Sequence, residues 1–162
     1  MGGGVGFGNW TPAAEFNILV DPEAADVVLR SDLPVTMAPL DVTLKALVFE
    51  EDFQRIRAVG NRVAQVVADW LEYFYIFHKK IGYAGAPLHD PCAVAALIAP
   101  ELFAIKPLHV AVELSGEYTR GATVGDWYGG ARQTPNATCL MGVDREKFVD
   151  LLVWAVRQYG GN

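Results

Sequence analysis

Helix-opening signals alternate with short apolar runs along this chain, and no other feature limits its fold as strongly. Asp21-Pro22-Glu23 opens a helix: an aspartate suits the N-cap, proline the first helical position, and a first-turn carboxylate the helix dipole. That helix should run to about Arg30. Val35 to Val42, bounded by Pro34 and the polar Asp41–Thr43 region, has the composition of a parallel-type strand buried on both faces. Helix is expected again over Glu50–Val59. From Asn61 to about Lys79, Val63, Val66, Val67, Trp70, Leu71, Phe74 and Phe77 recur at three and four, which predicts a long amphipathic helix. His89-Asp90-Pro91 repeats the Asp-Pro device, with Asp90 as cap, before a helix over Cys92–Ile98. Leu108, Val110, Val112 and Leu114 alternate with His109, Ala111 and Glu113, the period of a strand. A hairpin-like return follows through Glu117 to Asp126, and Ala137–Val143 reads as one more strand. Asp144 caps the last helix, whose face is Phe148, Leu151, Leu152, Ala155, Val156 and Tyr159, stopped by Gly160 and Gly161. Strands alternating with helices make the class α/β.

Composition narrows the function. At roughly 150 residues per domain, 162 residues make one domain with enough surface to bury a core unaided by metal or disulfides. A formal net charge of -6, with 13 lysines and arginines scattered along the chain, lacks the basic footprint of nucleic-acid binding. No apolar stretch approaches the 18 residues of a membrane span, and the N-terminal stretch has neither a basic nor an apolar signal region. A cytoplasmic location is therefore expected, with Cys92 and Cys139 reduced and the sequons at Asn9 and Asn136 unused.

The glycine-rich opening MGGGVGFGN fits neither phosphate-loop pattern, and neither zinc-hydrolase nor serine-elbow motifs occur. Three segments carry polar chemistry. Asn9, Glu15 and Asn17 place two amides and a carboxylate within nine residues, groups that bind a polyhydroxylated ligand or serve as turn and cap. His89 beside Asp90 pairs a group that delivers protons near neutral pH with a ligand for hard cations, although an N-cap role also explains Asp90. Thr119, Arg120, Thr123 and Asp126 read as solvated polarity on a strand pair. The cluster Tyr73, Phe74, Tyr75 and Phe77, before a loop with Gly82, Gly85 and Pro87, is core, interface or ligand lid.

In order along the chain, MGG…GNWTPAAEFNILVDPEAADVVL, PVTMAPLDVT, HDPCAVAALIAPELF and VAVELSGEYTRGATVGDW resemble the C-terminal half of the inosine/uridine-preferring nucleoside hydrolases. The pairing of A-A-E-F-N with a later H-D-P is what makes the resemblance specific. It implies an α/β fold with a mainly parallel sheet, incomplete at its N-terminal side, and hydrolysis of the N-glycosidic bond of ribonucleosides to ribose and base. It further implies a calcium ion at the bottom of the pocket. Carried over residue by residue, it makes Met1, Asn9, Glu15 and Asn17 ribose contacts, and Asp90 both calcium ligand and ribose contact. His89 becomes the residue that can protonate the departing base, and Leu40 lies near the metal. Tyr73 and Phe77 fall in the region that closes over the base.

The family's acidic D-x-D-x-x-D-D motif, which supplies the catalytic base and most calcium carboxylates, has no match in this sequence. Residues 1–162 are accordingly expected to be a single C-terminal part of such a domain, a truncated or split-gene product inactive alone and binding calcium weakly or not at all. Its partners would be a nucleoside, the N-terminal half supplied in trans, and further copies of itself. The rival reading is a non-catalytic remnant or interaction module that retains the fold.

Overall fold

The computed structural model describes residues 1–159. Its elements in chain order are α1 (Phe16–Val20), α2 (Pro22–Leu29), β1 (Val35–Met37), α3 (Leu40–Thr43), β2 (Leu47–Val48), α4 (Glu50–Arg57) and α5 (Arg62–Lys80). Then come β3 (Ala86–Pro87), α6 (Asp90–Ile98), a 3₁₀ turn at Pro100–Leu102, β4 (Phe103–Leu108), β5 (Val110–Val112), β6 (Thr123–Gly125), β7 (Ala137–Val143) and α7 (Arg145–Arg157). The expected Gly160-Gly161 stop lies outside the described residues. None of the described helices is long and apolar enough to cross a membrane. The fold divides into two compact units: Met1–Leu44 with His89–Val143, and Lys45–Leu88 with the described residues from Asp144.

In the first unit a three-stranded sheet runs in the order β1-β7-β4. β1 is parallel to β7, pairing Val35 with Ala137 and Met37 with Cys139, while β4 is antiparallel to β7 from Leu108 opposite Ala137 to Phe103 opposite Val143. The α/β class holds, with a mixed sheet. The strand expected over Val35–Val42 stops at Met37, because Pro39 lacks the N–H that would continue the ladder and leads straight into α3. The strand expected over 108–114 breaks at His109, where the chain leaves β7 and pairs with β6 instead, Val110 opposite Gly125 and Val112 opposite Thr123. The side chain of Asn136 stands in for a neighbouring strand at that break. Its Oδ1 accepts from Val110 N (2.8 Å), and its Nδ2 donates to Val110 O (2.9 Å) and Leu29 O (2.8 Å). Leu29, Met37, Leu108, Val110, Val112, Ala137 and Cys139 form the core beneath, so the alternation read from the sequence survives the break. Both cysteines are buried, and neither forms a disulfide among the described residues.

The second unit holds the β2-β3 pair with α4, α5 and α7 around Val48, Phe53, Ile56, Ala64, Ala68, Leu71, Tyr75, Val149, Val153 and Val156. Asp52, 1% exposed, accepts from Arg145 (2.6 Å), Arg55 (3.2 Å) and Phe49 N (3.0 Å). Arg145 also donates to Leu47 O, so a buried carboxylate ties β2, α4 and α7 together. α5 forms as expected, with Asn61 capping Ala64 N; Leu71 of the expected face is buried and Val63 and Val67 pack against the core, but the inward face is rotated away from its aromatic residues. Ala64, Ala68, Leu71, Tyr75 and His78 are buried, whereas Trp70, Phe74 and Phe77 point outward. The alanines let the helix approach its neighbours closely, and the larger residues one position away are left outside. α7 likewise buries Phe148, Val149, Val153 and Val156, with Tyr159 exposed.

Candidate active site

The glycine-rich N-terminal segment lies at the carboxyl end of β1. Gly2 N donates to Ala38 O (3.2 Å), and Gly3 O accepts from Leu40 N (2.9 Å). Gly3 adopts φ +77°, and a Cβ there would come within 2.7 Å of Met37 Cε and 2.9 Å of Thr123 Oγ1, so no larger residue fits. Thr123, 3% exposed, accepts from Gly4 N (2.9 Å) and donates to Gly4 O (3.0 Å). The sequence predicts solvated polarity for this threonine; its hydroxyl is instead a buried clamp on the segment, because β6 turns that position inward opposite Val112. Asp41 adds a bond from Val5 N (2.7 Å).

Glu15, also 3% exposed, is the N-cap of α1. Its carboxylate accepts from Gly3 N (2.8 Å), Asn17 N (3.0 Å) and Ile18 N (3.4 Å). Asn9 Oδ1 accepts from Phe16 N (3.0 Å), and Asn17 Nδ2 donates to Met1 Sδ (3.2 Å). Residues 8–14 fold back so that Asn9 N, Trp10 N and Thr11 N all converge on Ala14 O. Gly8 permits this turn, since a Cβ would meet Thr11 O at 2.2 Å. Met1, Asn9, Glu15 and Asn17 are thus drawn together, and capping duty and clustering coexist. Among the described residues Asn9 Nδ2 and Asn17 Oδ1 carry no protein hydrogen bond, and both side chains are exposed. One donor and one acceptor therefore face outward beside a buried carboxylate.

α3 connects this cluster to the His-Asp pair. Its first residue donates to Gly3 O, and the hydroxyl of its last, Thr43, lies 2.8 Å from His89 Nδ1. Leu40 itself is fully buried and offers its side chain to the core alone. Asp90 is not the cap that Asp21 is: His89 occupies that position, Asp90 is the first residue of α6, and no side chain caps the helix. Asp21 Oδ1 accepts from Ala24 N (2.9 Å), whereas the exposed Asp90 carboxylate has no hydrogen bond among the described residues. The Asp90 carboxylate therefore accepts no hydrogen bond from the described residues, and its local role is confined to the favourable dipole of the first turn of α6. Tyr73 and Phe77 lie on α5 in the second unit, 79% and 61% exposed.

Calcium takes six to eight oxygen ligands. Asp90 offers one carboxylate, and among the described residues no group of three or more His, Cys, Asp and Glu is placed to hold a metal ion. The donor set seen here does not by itself fit the ion. Neither cysteine replaces it as a reactive group, since burial pushes the Cys92 thiol up to about 12 and, with the charge of Asp41, Cys139 up to about 11.

The family model for the inosine-uridine preferring nucleoside hydrolases matches residues 1–150. The chain belongs to that family. It is 55% identical over 161 residues to a pyrimidine-specific ribonucleoside hydrolase, RihA, of Shewanella baltica, covering 98% of this chain and 51% of the relative. Its identity to the protein of the same description from Escherichia fergusonii is 54%, with coverage of 98% and 52%. The chain spans about half the length of the curated relatives it matches. Among solved structures it is similar to a purine-preferring ribonucleoside hydrolase from Gardnerella vaginalis, with a TM-score of 0.85, 32% identity, and coverage of 99% of this chain and 51% of the other. A plant nucleoside hydrolase shares the fold at a TM-score of 0.84 and 23% identity, over 96% of this chain and 51% of its own. Sequence reasoning missed Thr43 and Thr123 as parts of this site. Thr43 lies 46 residues from His89 and Thr123 lies 119 from Gly4, separations at which no local pattern signals contact.

Proposed function

We propose that this chain provides the ribose-binding and leaving-group side of a nucleoside N-ribohydrolase site. The observation that carries the reading is the joining of two groups through α3: the buried Glu15 with its outward Asn9 and Asn17 amides, and His89 with an exposed Asp90 carboxylate that accepts no hydrogen bond among the described residues. Asn9 Nδ2 donates to, and Asn17 Oδ1 accepts from, ribose hydroxyls, with Met1 against the sugar. Breaking the glycosidic bond leaves positive charge on the ribose ring, and the carboxylates of Glu15 and Asp90 stabilise it more than they stabilise the neutral nucleoside. His89 presents a ring N–H to the departing base. The residue that activates water belongs, in the family, to the acidic motif that this sequence lacks, so the chain would act with a polypeptide supplying that half. Calcium bound there would draw on Asp90 as one oxygen ligand among others. The curated relatives at 53–55% identity are described as pyrimidine-specific, which makes uridine and cytidine the substrates of choice.

The test is ribose release from uridine, cytidine and inosine with calcium in the buffer, by the chain alone and with the N-terminal half of a relative added. Release on complementation only, lost in Asp90→Ala, is expected. Vigorous release by the chain alone overturns the account of the missing base. Silence in both arms, with both pieces folded by circular dichroism, leaves the non-catalytic module standing instead.

A further inference from the structure

Thr43 ends α3 fully buried, with its Oγ1 2.8 Å from His89 Nδ1. A buried hydroxyl must place its proton on an acceptor, because leaving the donor unmade inside the fold is costly. In a helix the usual acceptor is the carbonyl four residues back. Here that carbonyl, Pro39 O, already takes the amides of Val42 (3.0 Å) and Thr43 (3.1 Å), and among the described residues the Thr43 hydroxyl bonds to His89 Nδ1 rather than to it. His89 is its hydrogen-bond partner among the described residues. The hydroxyl therefore donates to Nδ1, which must present its lone pair, and a neutral imidazole with a lone pair on Nδ1 carries its one proton on Nε2.

We infer that Thr43 is a positioning residue that holds the neutral His89 ring in its Nε2–H tautomer and fixes the direction in which that N–H points. The inference rests on the reading of His89 as the group facing the departing base, and it says what that group offers. The glycosidic electron pair leaves with the base, and the Nε2–H donates a hydrogen bond to the charge that develops there, its proton staying on nitrogen. α3 makes the orientation relevant to the sugar. Leu40 N and the Asp41 carboxylate hold the same glycine-rich segment that Glu15 anchors, so Thr43 references the ring to the ribose cluster.

Nitrogen-15 NMR of the labelled 162-residue chain reads the tautomer directly, without any need for turnover. The neutral ring should be protonated on Nε2 in the wild type and in Thr43→Ser, and should become a mixture of tautomers in Thr43→Val. In the complemented enzyme, Thr43→Val should lower kcat about tenfold with KM little changed, a part of what a positioned donor contributes, while Thr43→Ser stays near wild type. A wild-type ring protonated on Nδ1, or an unaltered tautomer in Thr43→Val, overturns the inference. Should Thr43→Val fail to fold, Thr43→Ala, which also removes the hydroxyl, is read in its place. Full hydrolysis by His89→Ala would remove the catalytic reading on which the role rests while leaving the tautomer in place, so the two failures are distinguishable.

Discussion

Thr123→Val removes one oxygen from the interior and changes almost nothing else in shape. In the wild type that oxygen satisfies both backbone groups of Gly4, accepting from its N–H at 2.9 Å and donating to its C=O at 3.0 Å. Valine keeps the volume and leaves a buried donor and a buried acceptor unmet, each costing about 1–3 kcal/mol. Some relaxation is expected, so the total should be about 3 kcal/mol. For a chain of this length about 2–4 °C of melting temperature is lost per kcal/mol, which puts the variant about 6–12 °C below wild type. Thermal melts followed by circular dichroism, paired with urea titrations, measure it, and Thr123→Ser should recover most of the loss. A valine variant that melts within about 1 °C of wild type would refute the clamp, and with it the account of how the glycine segment is held against Glu15.

Glu15→Ala should cost about 3 kcal/mol, because three backbone amides lose a charged acceptor together, and should abolish ribose binding by isothermal titration in the complemented enzyme. Arg145→Met leaves the buried Asp52 carboxylate with Arg55 as its one charged partner beside Phe49 N, a loss of about 3–5 kcal/mol measurable by urea unfolding. The thiols give an alkaline dependence. Both are held protonated in the fold, from an ordinary 9.0 to about 12 for Cys92 and about 11 for Cys139. Above pH 9 the unfolded chain binds fewer protons than the native one, so their contribution is complete below about pH 9 and falls as the pH rises through 11 and 12. Urea midpoints at pH 8 and pH 10.5 should therefore diverge less in a Cys92→Ala, Cys139→Ala double variant than in wild type.

Much of the fold is legible in the sequence where a local rule and the tertiary structure agree. The Asp21-Pro22 start, the strand Ala137–Val143 and the Asp144 cap are of this kind, because capping and alternation act over a few residues. Periodicity alone could not choose the buried face of α5, since two adjacent stripes are apolar and only packing decides that the alanine stripe goes inside. The identical Asp-Pro dipeptides mislead for a similar reason. Asp21 caps its helix while Asp90 begins one, a difference set by the backbone at His89. In the candidate site, Asn9, Glu15, Asn17, His89 and Asp90 were visible as residue types. The threonines that fix their surroundings were not, because hydroxyls at strand and helix ends are common and their partners lie far away in the chain.

Asn136 has a consequence for how the protein can be made. It begins an Asn-Ala-Thr sequon, yet its amide is engaged by Val110 and Leu29 at the strand break. An oligosaccharide attached to that nitrogen during passage through a secretory pathway would take one of those protons and wedge a bulky group into the joint before β7 could close. The other sequon, at Asn9, is exposed, and a sugar chain there would leave the fold intact while capping the amide that faces outward beside Glu15. Expression in a glycosylating host would thus penalise assembly at one asparagine and ligand access at the other, and a non-glycosylating host avoids both.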